Sequence, residues 1–296
     1  MPDNTPTGQI PDALKQHLFH LPGALSDAMV ERLLRCVHYE PVIGIMGKSG
    51  AGKSSLCNIL FSPPPAPVDA VRGCTRRVQR YQVHRGHHTL HLADFPGIAE
   101  TPELDRQYRR LYRVWSSKLD LTVWALKADD RTWKDDLNCY HELLNAGAEP
   151  EHFLFVLTQA DKMEPCREWN EADHQPSPHQ SENLLAKTEL AATLFAAVHP
   201  VIAVSATENY NLDQWVEALI RALPVNSSSA VSRHLNPEWC TVQVQEAARE
   251  GFVSVASAIF DEAASVVQTS GKLVCQLQRL RRRFLSVLRT VWHLLF

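Results

Sequence analysis

Residues 47–55 read GKSGAGKSS, between the apolar runs VIGIM and LCNILF. Three glycines in nine residues are costly in ordered backbone unless the main chain itself is needed at close range. Gly47, four residues, then Gly52-Lys53-Ser54 is the spacing of a phosphate-binding loop. A strand leading in and a helix leading out supply the context such a loop needs. Backbone N–H groups of residues 49–55, together with the helix N-terminus, would then face one anion.

Around this loop the pattern alternates. A helix is expected near 12–20 and another near 26–38, and Pro41 opens the strand VIGIM. The stretch SPPPAPVDAVRG (62–73) reads as a long flexible loop, because proline removes ladder donors. The strands VQRYQVH and TLHLAD follow, joined by a turn at Arg85-Gly86-His87-His88. A charged helix near 103–117, the strand 121–126, a helix near 132–146 and the strand 153–158 come next. Residues 163–182 are polar and read as an exposed insertion. A helix near 183–198, the strand 201–206 and a helix over 212–223 complete the alternation. Strands alternating with helices of this length indicate an α/β sheet with helices on both faces. The divisions expected are a helical extension over 1–40, a core domain over 41–223, a linker over 224–236 and a helical region over 237–296.

Composition excludes several classes. With 296 residues, 45% hydrophobic and 21% charged, the chain is ordinary for a globular protein. A net charge of −3 gives no general bias towards nucleic acid or membrane. The seven cysteines are scattered and form no C-x-x-C, which argues for reduced thiols. No run of 18 apolar residues occurs and no signal-peptide core is found, so a cytoplasmic chain is expected.

Candidate site residues follow from the motifs. Gly47, Lys48, Ser49, Gly50, Ala51, Gly52, Lys53, Ser54 and Ser55 would cradle phosphates. Lys53 would reach the β and γ oxygens, and the Ser54 hydroxyl would ligate Mg²⁺. DFPG (94–97) ends the strand LHLAD, which places Asp94 in or beside the metal's shell and offers the Gly97 N–H to a γ-phosphate. Thr75 in GCTRR would add a hydroxyl to Mg²⁺ and its N–H to the same phosphate. Lys53, Thr75 and Gly97 are thus the expected catalytic groups; Ser54, Thr75 and Asp94 are the expected metal set. TQAD (158–161) and Ser205-Ala206 each follow a strand. Asp161 would accept from N1–H and the amine of guanine, a donor pair adenine lacks, and the Ala206 N–H would donate to O6. A carboxylate left without those donors is expensive, so such a site rejects adenine.

The ordered set GKSGAGKS, Thr75, DFPG, TQAD and SA resembles a translation-factor-related (TRAFAC) P-loop GTPase domain over roughly 41–223. CTRR and DFPGI are most similar to its Era/MnmE-like branch. The resemblance implies a mixed, mostly parallel six-stranded sheet with one antiparallel edge strand, helical extensions at both ends, a Mg²⁺-dependent GTP site and two switch loops. There are departures. Thr158 and Gln159 stand where the family usually has Asn-Lys. Gly50 replaces the asparagine of potassium-using members. Ile98 stands where Ras-like relatives carry a water-orienting glutamine, so slow unassisted hydrolysis is expected. No G-x-x-G of an RNA-binding KH domain follows residue 223.

Two functions from different classes are consistent with these residues. One is a slowly hydrolysing GTP/GDP switch; the other is a GTP-binding module that barely hydrolyses and controls a partner through its tail. An ATPase or kinase is disfavoured by Asp161. From Lys272 to Phe296 the chain has six basic residues and no acid, interleaved with Leu, Val, Phe and Trp. Such a helix either packs on its own domain with solvated arginines or docks peripherally on anionic lipid or an acidic partner. His84, His87, His88, His91, Cys166, His174 and His179 lack metal-ligand spacing and read as solvated loop residues.

Overall fold

The computed structural model of the chain describes residues 23–61, 66–67, 78–98, 102–265 and 271–296. The expected helix near 12–20 and Thr75 lie outside the described residues. In order come α1 (Gly23–Val37), β1 (Val42–Gly47), α2 (Lys53–Leu60), β2 (Ala66–Pro67), β3 (Gln79–Arg85), β4 (His88–Asp94) and α3 (Pro102–Ser116). These are followed by β5 (Leu121–Lys127), α4 (Lys134–Asn145), β6 (Phe153–Thr158), α5 (Pro178–Leu194), β7 (Ile202–Ala203) and α6 (Leu212–Ala222). The chain continues through α7 (Ser228–Ser232), α8 (Val242–Ser265) and α9 (Gly271–Leu295).

One sheet runs β2-β3-β4-β1-β5-β6-β7. β4, β1, β5, β6 and β7 are parallel, while β3 is antiparallel to β4. The six expected strands are present, with β2 as a two-residue addition on β3. Residues 62–73 were expected to hold no regular structure, yet Ala66 and Pro67 pair with Gln82 and Tyr81. At the edge of a sheet proline's missing N–H costs nothing, which is where it is tolerated. β7 is shorter than the run 201–206 from which it was expected.

The parallel strands are apolar on both faces because helices cover both. Alternate residues serve different layers. Ile43, Ile45, Val123 and Val156 join Leu56, Trp215, Val244 and Leu288 on one face. Met46, Trp124, Phe153 and Phe155 join Tyr112, Tyr140 and Phe195 on the other.

Two findings alter the picture of the second half. The expected linker, 224–236, contains a buried turn: Ser228, Ser229, Ser232, Arg233 and His234 are all buried, with Val231 and Leu235 in the core. Small side chains make this possible. A Cβ added at Gly251 of α8 would come within 2.3 Å of Ser228 Oγ, so the two segments touch only because both are small there. The second finding concerns α9. Its Phe284, Leu288, Trp292 and Leu295 lie in the same cluster as Met29, Val30, Leu33 and Val37 of α1. These four residues of the tail's apolar stripe therefore pack on the protein itself, in the manner of the first of the two readings. Arg281 pairs with Asp261 of α8 at 2.8 Å, while Arg279, Arg282, Arg283 and Arg289 stay exposed. Among the described residues no helix is long and apolar enough to cross a membrane.

Candidate functional site

A cleft of about 520 Å³ opens at the carboxyl ends of the parallel strands, where sheets of this type bind ligands. It brings together Ser49, Gly50, Gly52, Lys53, Ser54, Ser55, Asp94, Gly97, Thr158, Gln159, Asp161, Ser205 and Ala206. Phosphate and base residues separated by more than a hundred positions thus share one cavity.

The loop folds as it does for local reasons. Gly47 has φ +134°, and a Cβ there would meet the Ala125 carbonyl at 2.3 Å. Gly52, in the left-handed region, precedes α2 with no side-chain cap, so the first N–H groups of the helix are left for a ligand. Lys53 is 9% exposed; its Nζ donates to the carbonyls of Lys48 at 2.8 Å and Gly47 at 3.2 Å. Those bonds hold the ammonium over the loop. Ala51, by contrast, is buried in the core.

Lys48 does not turn its side chain towards this cavity. Its Nζ donates to the Thr132 carbonyl at 2.9 Å and pairs with Asp130 at 3.3 Å and Asp136 at 3.4 Å. The expectation of phosphate contact therefore rests on its backbone alone. Asp136 is 1% exposed, also accepts from Trp124 Nε1, and burial raises its pKa. This tie between the loop and α4 was not anticipated, because nothing at residues 130–136 has motif spacing.

At the metal end, Ser54 Oγ donates to Asp94 Oδ2 at 3.0 Å. Asp94 Oδ1 is buried without a partner. Burial pushes the Asp94 carboxyl up, against the opposing pull of Lys53 and the Ser54 hydroxyl. A hydroxyl and a carboxylate with a spare buried oxygen form a hard-oxygen donor set, which fits Mg²⁺. Gly97 lies so close to the loop that a Cβ would meet Ser49 N at 2.3 Å. Ile98 N donates to the Gly47 carbonyl and Ser49 N to the Ile98 carbonyl, both at 3.4 Å. The Ile98 side chain is buried in the apolar core.

At the base end, Thr158 Oγ1 donates to the Leu126 carbonyl at 3.1 Å and fixes the strand end. Gln159 adopts φ 58°, and its Nε2 donates to the Gly50 carbonyl at 2.7 Å. Lys162 Nζ in turn donates to Gln159 Oε1 at 2.8 Å. The base loop is thus fastened to the phosphate loop by an amide where the family has a lysine. Asp161 Oδ1 is buried and has no partner. Ser205 Oγ bonds Thr207 Oγ1 at 3.0 Å and accepts from Glu208 N at 3.2 Å, shaping the turn that carries Ala206. Lys162 and Thr207 also line the cavity and were not foreseen; the lysine directly after Asp161 was the available signal. The histidines expected to be solvated divide. His84 and His87 are exposed, whereas His88 is half-buried and stacks on His38 at 5.4 Å.

Residues 42–159 match the family model described as "50S ribosome-binding GTPase". YkfA of Escherichia coli (strain K12) is 37% identical over 96% of this chain and 97% of its own. YfjP of the same organism is 37% identical with the same coverage. The tRNA modification GTPase MnmE of Chromohalobacter salexigens is 30% identical over 49% of this chain and 31% of its own length.

Proposed function

The chain belongs to the family of YkfA and YfjP and carries a P-loop GTPase domain, and on that premise we propose a Mg²⁺-dependent GTP-binding protein that hydrolyses GTP slowly and works as a nucleotide switch. The observation that carries the choice of base is Asp161 Oδ1, buried, unpartnered and in the same cavity as the phosphate loop. Guanine supplies two adjacent donors to such a carboxylate and adenine does not. Asp161 therefore selects the base, while the Gln159 amide and the turn at Ser205-Ala206 hold the walls around it.

Ser54 and Asp94 would hold the metal, with Thr75 completing the set. Mg²⁺ supplies charge neutralisation at the β- and γ-phosphate oxygens. Lys53 holds a positive charge over the same oxygens, and the uncapped N–H groups of α2 orient the phosphates. The Gly97 N–H would donate to the terminal phosphate. Ile98 brings no proton or lone pair to an attacking water, which supports slow unassisted turnover. The exposed Arg279, Arg282, Arg283 and Arg289 of α9 favour an acidic protein partner, through which the nucleotide state would be read.

Competition between a fluorescent GTP analogue and unlabelled GTP or ATP, followed by single-turnover hydrolysis, tests this function. GTP should compete at least about a hundredfold better than ATP. Lys53→Ala should remove binding, and turnover in Ile98→Ala should stay within about twofold of the parent. Equal competition by ATP would remove the guanine assignment. A large loss of turnover in Ile98→Ala would remove the catalytic one.

A further inference from the structure

β4 runs from the metal end of the sheet, at Asp94, to His88. Seven residues of strand place these ends roughly 20 Å apart. At the His88 end lies a second cavity of about 260 Å³. Its walls come from the end of β3, α7, the start of α8 and the end of α9. Arg85 and Arg233 line it with Ser232, Gln245, Trp292 and Phe296, and no Asp or Glu does.

Arg233 is 5% exposed. Its guanidinium donates to the Val37 carbonyl at 3.0 Å and the Leu295 carbonyl at 2.8 Å, and lies 4.6 Å over the Phe296 ring. Val37 and Leu295 end α1 and α9, and each helix end carries roughly half a negative charge. The two ends together offset this one cation. Arg85 has no such offset. It donates to the Arg233 carbonyl and forms no ion pair with a carboxylate among the described residues. Burial and then Arg85 hold the Arg233 pKa down to about 10. Burial, Arg233 and the surrounding imidazoles hold His88 down to about 4. The corner thus sets two guanidiniums, with no Asp or Glu in its lining, beside a wall made by the stacked rings of Trp292 and Phe296, 5.8 Å apart.

We propose that this cavity is a second binding site, distinct from the nucleotide cleft, for a small free molecule that joins a phosphate or carboxylate to an apolar body. The anion would be held by Arg85 at the mouth and by Arg233 and Gln245 within. The apolar part would lie against Trp292 and Phe296. The site is half the size of the first cavity. Because Arg233 also holds α1 to α9, a bound anion would steady the packing of the C-terminal helices.

The test uses the full chain, with inorganic phosphate and phenyl phosphate as probes and chloride at matched ionic strength as the control for screening. Both probes should raise the melting temperature saturably, with phenyl phosphate at least about fivefold tighter because its ring adds apolar contact. Arg85→Gln should weaken both probes at least about tenfold while keeping the parent's melting temperature in chloride, since Arg85 is exposed. Lys53→Ala should leave the effect intact. Measured in the Lys53→Ala chain, where the nucleotide cleft no longer competes for phosphate, a gain that survives Arg85→Gln, or no gain at all, would overturn the proposal. Flotation with phosphatidic-acid vesicles separates a lipid headgroup from a free ligand. Retention that Arg85→Gln abolishes would overturn the free-ligand form; no retention is the expected result.

Discussion

Residues 47–55 and 227–235 are both rich in serine, and both bury polar atoms, but they do so to different ends. In the second stretch the buried groups are partnered. Ser229 Oγ donates to the Ala248 carbonyl at 2.7 Å and accepts from Trp292 Nε1 at 3.0 Å. Ser232 Oγ donates to the Ser229 carbonyl, and His234 Nδ1 lies 2.9 Å from that of Ala230. In the cleft formed around the first stretch, Asp94 Oδ1 and Asp161 Oδ1 are buried with no partner. An unmade hydrogen bond at a buried polar atom costs about 1–3 kcal/mol. A fold that tolerates two such atoms in one cavity has kept them for something else to satisfy. Trp169 Nε1 and Trp215 Nε1 are also left open away from the cleft, so it is the gathering of two carboxylate oxygens in one cavity, rather than an open atom as such, that supports the reading of a binding site.

The strongest way to break this contrast is to remove the segment that the second stretch supports. Deleting residues 272–296 withdraws Phe284, Leu288, Trp292 and Leu295 from the core. At roughly 1.5–3 kcal/mol for each buried side chain, the loss approaches the whole stability of a typical domain. Circular dichroism should find no cooperative unfolding transition in the truncated chain. A normal transition would show that the C-terminal helices are an appendage.

Asp161→Asn should act on function and leave the fold alone. Losing a charge-assisted pair of hydrogen bonds should weaken GTP by roughly a hundredfold and shift preference towards xanthosine triphosphate. The melting temperature should stay the same or rise, because an unpartnered carboxylate has been removed. Ser229→Ala should do the converse. It strands the Trp292 N–H, costs about 2 kcal/mol and lowers the melting temperature by roughly 4–8 °C. Nucleotide affinity, measured below that transition, should not change.

The smallest effect is one of pH. His88 has a depressed pKa of about 4 in the folded chain, caused first by burial. The unfolded chain therefore takes up its proton first as pH falls. The contribution of His88 is full above about pH 6.5 and is lost progressively towards pH 4. Urea titrations across that window should show stability falling, with a shallower fall in His88→Gln. An identical slope in both proteins would show that His88 is solvated, as its sequence neighbours are.

The contrast between the two stretches also shows what could be read from sequence. GKSGAGKSS, DFPG and TQAD were legible because their chemistry requires residue types at set spacings, and the cleft gathers them. The alternation of strands and helices was legible because β1, β5 and β6 are unbroken apolar runs. Residues 227–235 were not legible. Serine and asparagine punctuate loops in most chains, and nothing local shows that Gly251, more than twenty positions later, leaves room for Ser228. The side chain of Lys48 was missed for a similar reason, since its partners Asp130 and Asp136 are set by packing across the sheet. Short β7 and the pairing of Ala66 and Pro67 follow edge geometry, which leaves little trace in hydrophobic pattern.

The guanidinium of Arg233 bonds the last turn of α1 to the last turn of α9. Those turns are separated by more than 250 positions in the chain. During synthesis, at about 5–20 residues per second, the apolar face of α1 emerges ten seconds or more before the helix that covers it. Over that interval the sheet can pair while Met29, Leu33 and Val37 lack their final neighbours. The nascent chain thus carries an open apolar seam along α1 until α9 has been made, and the cluster they share closes only then.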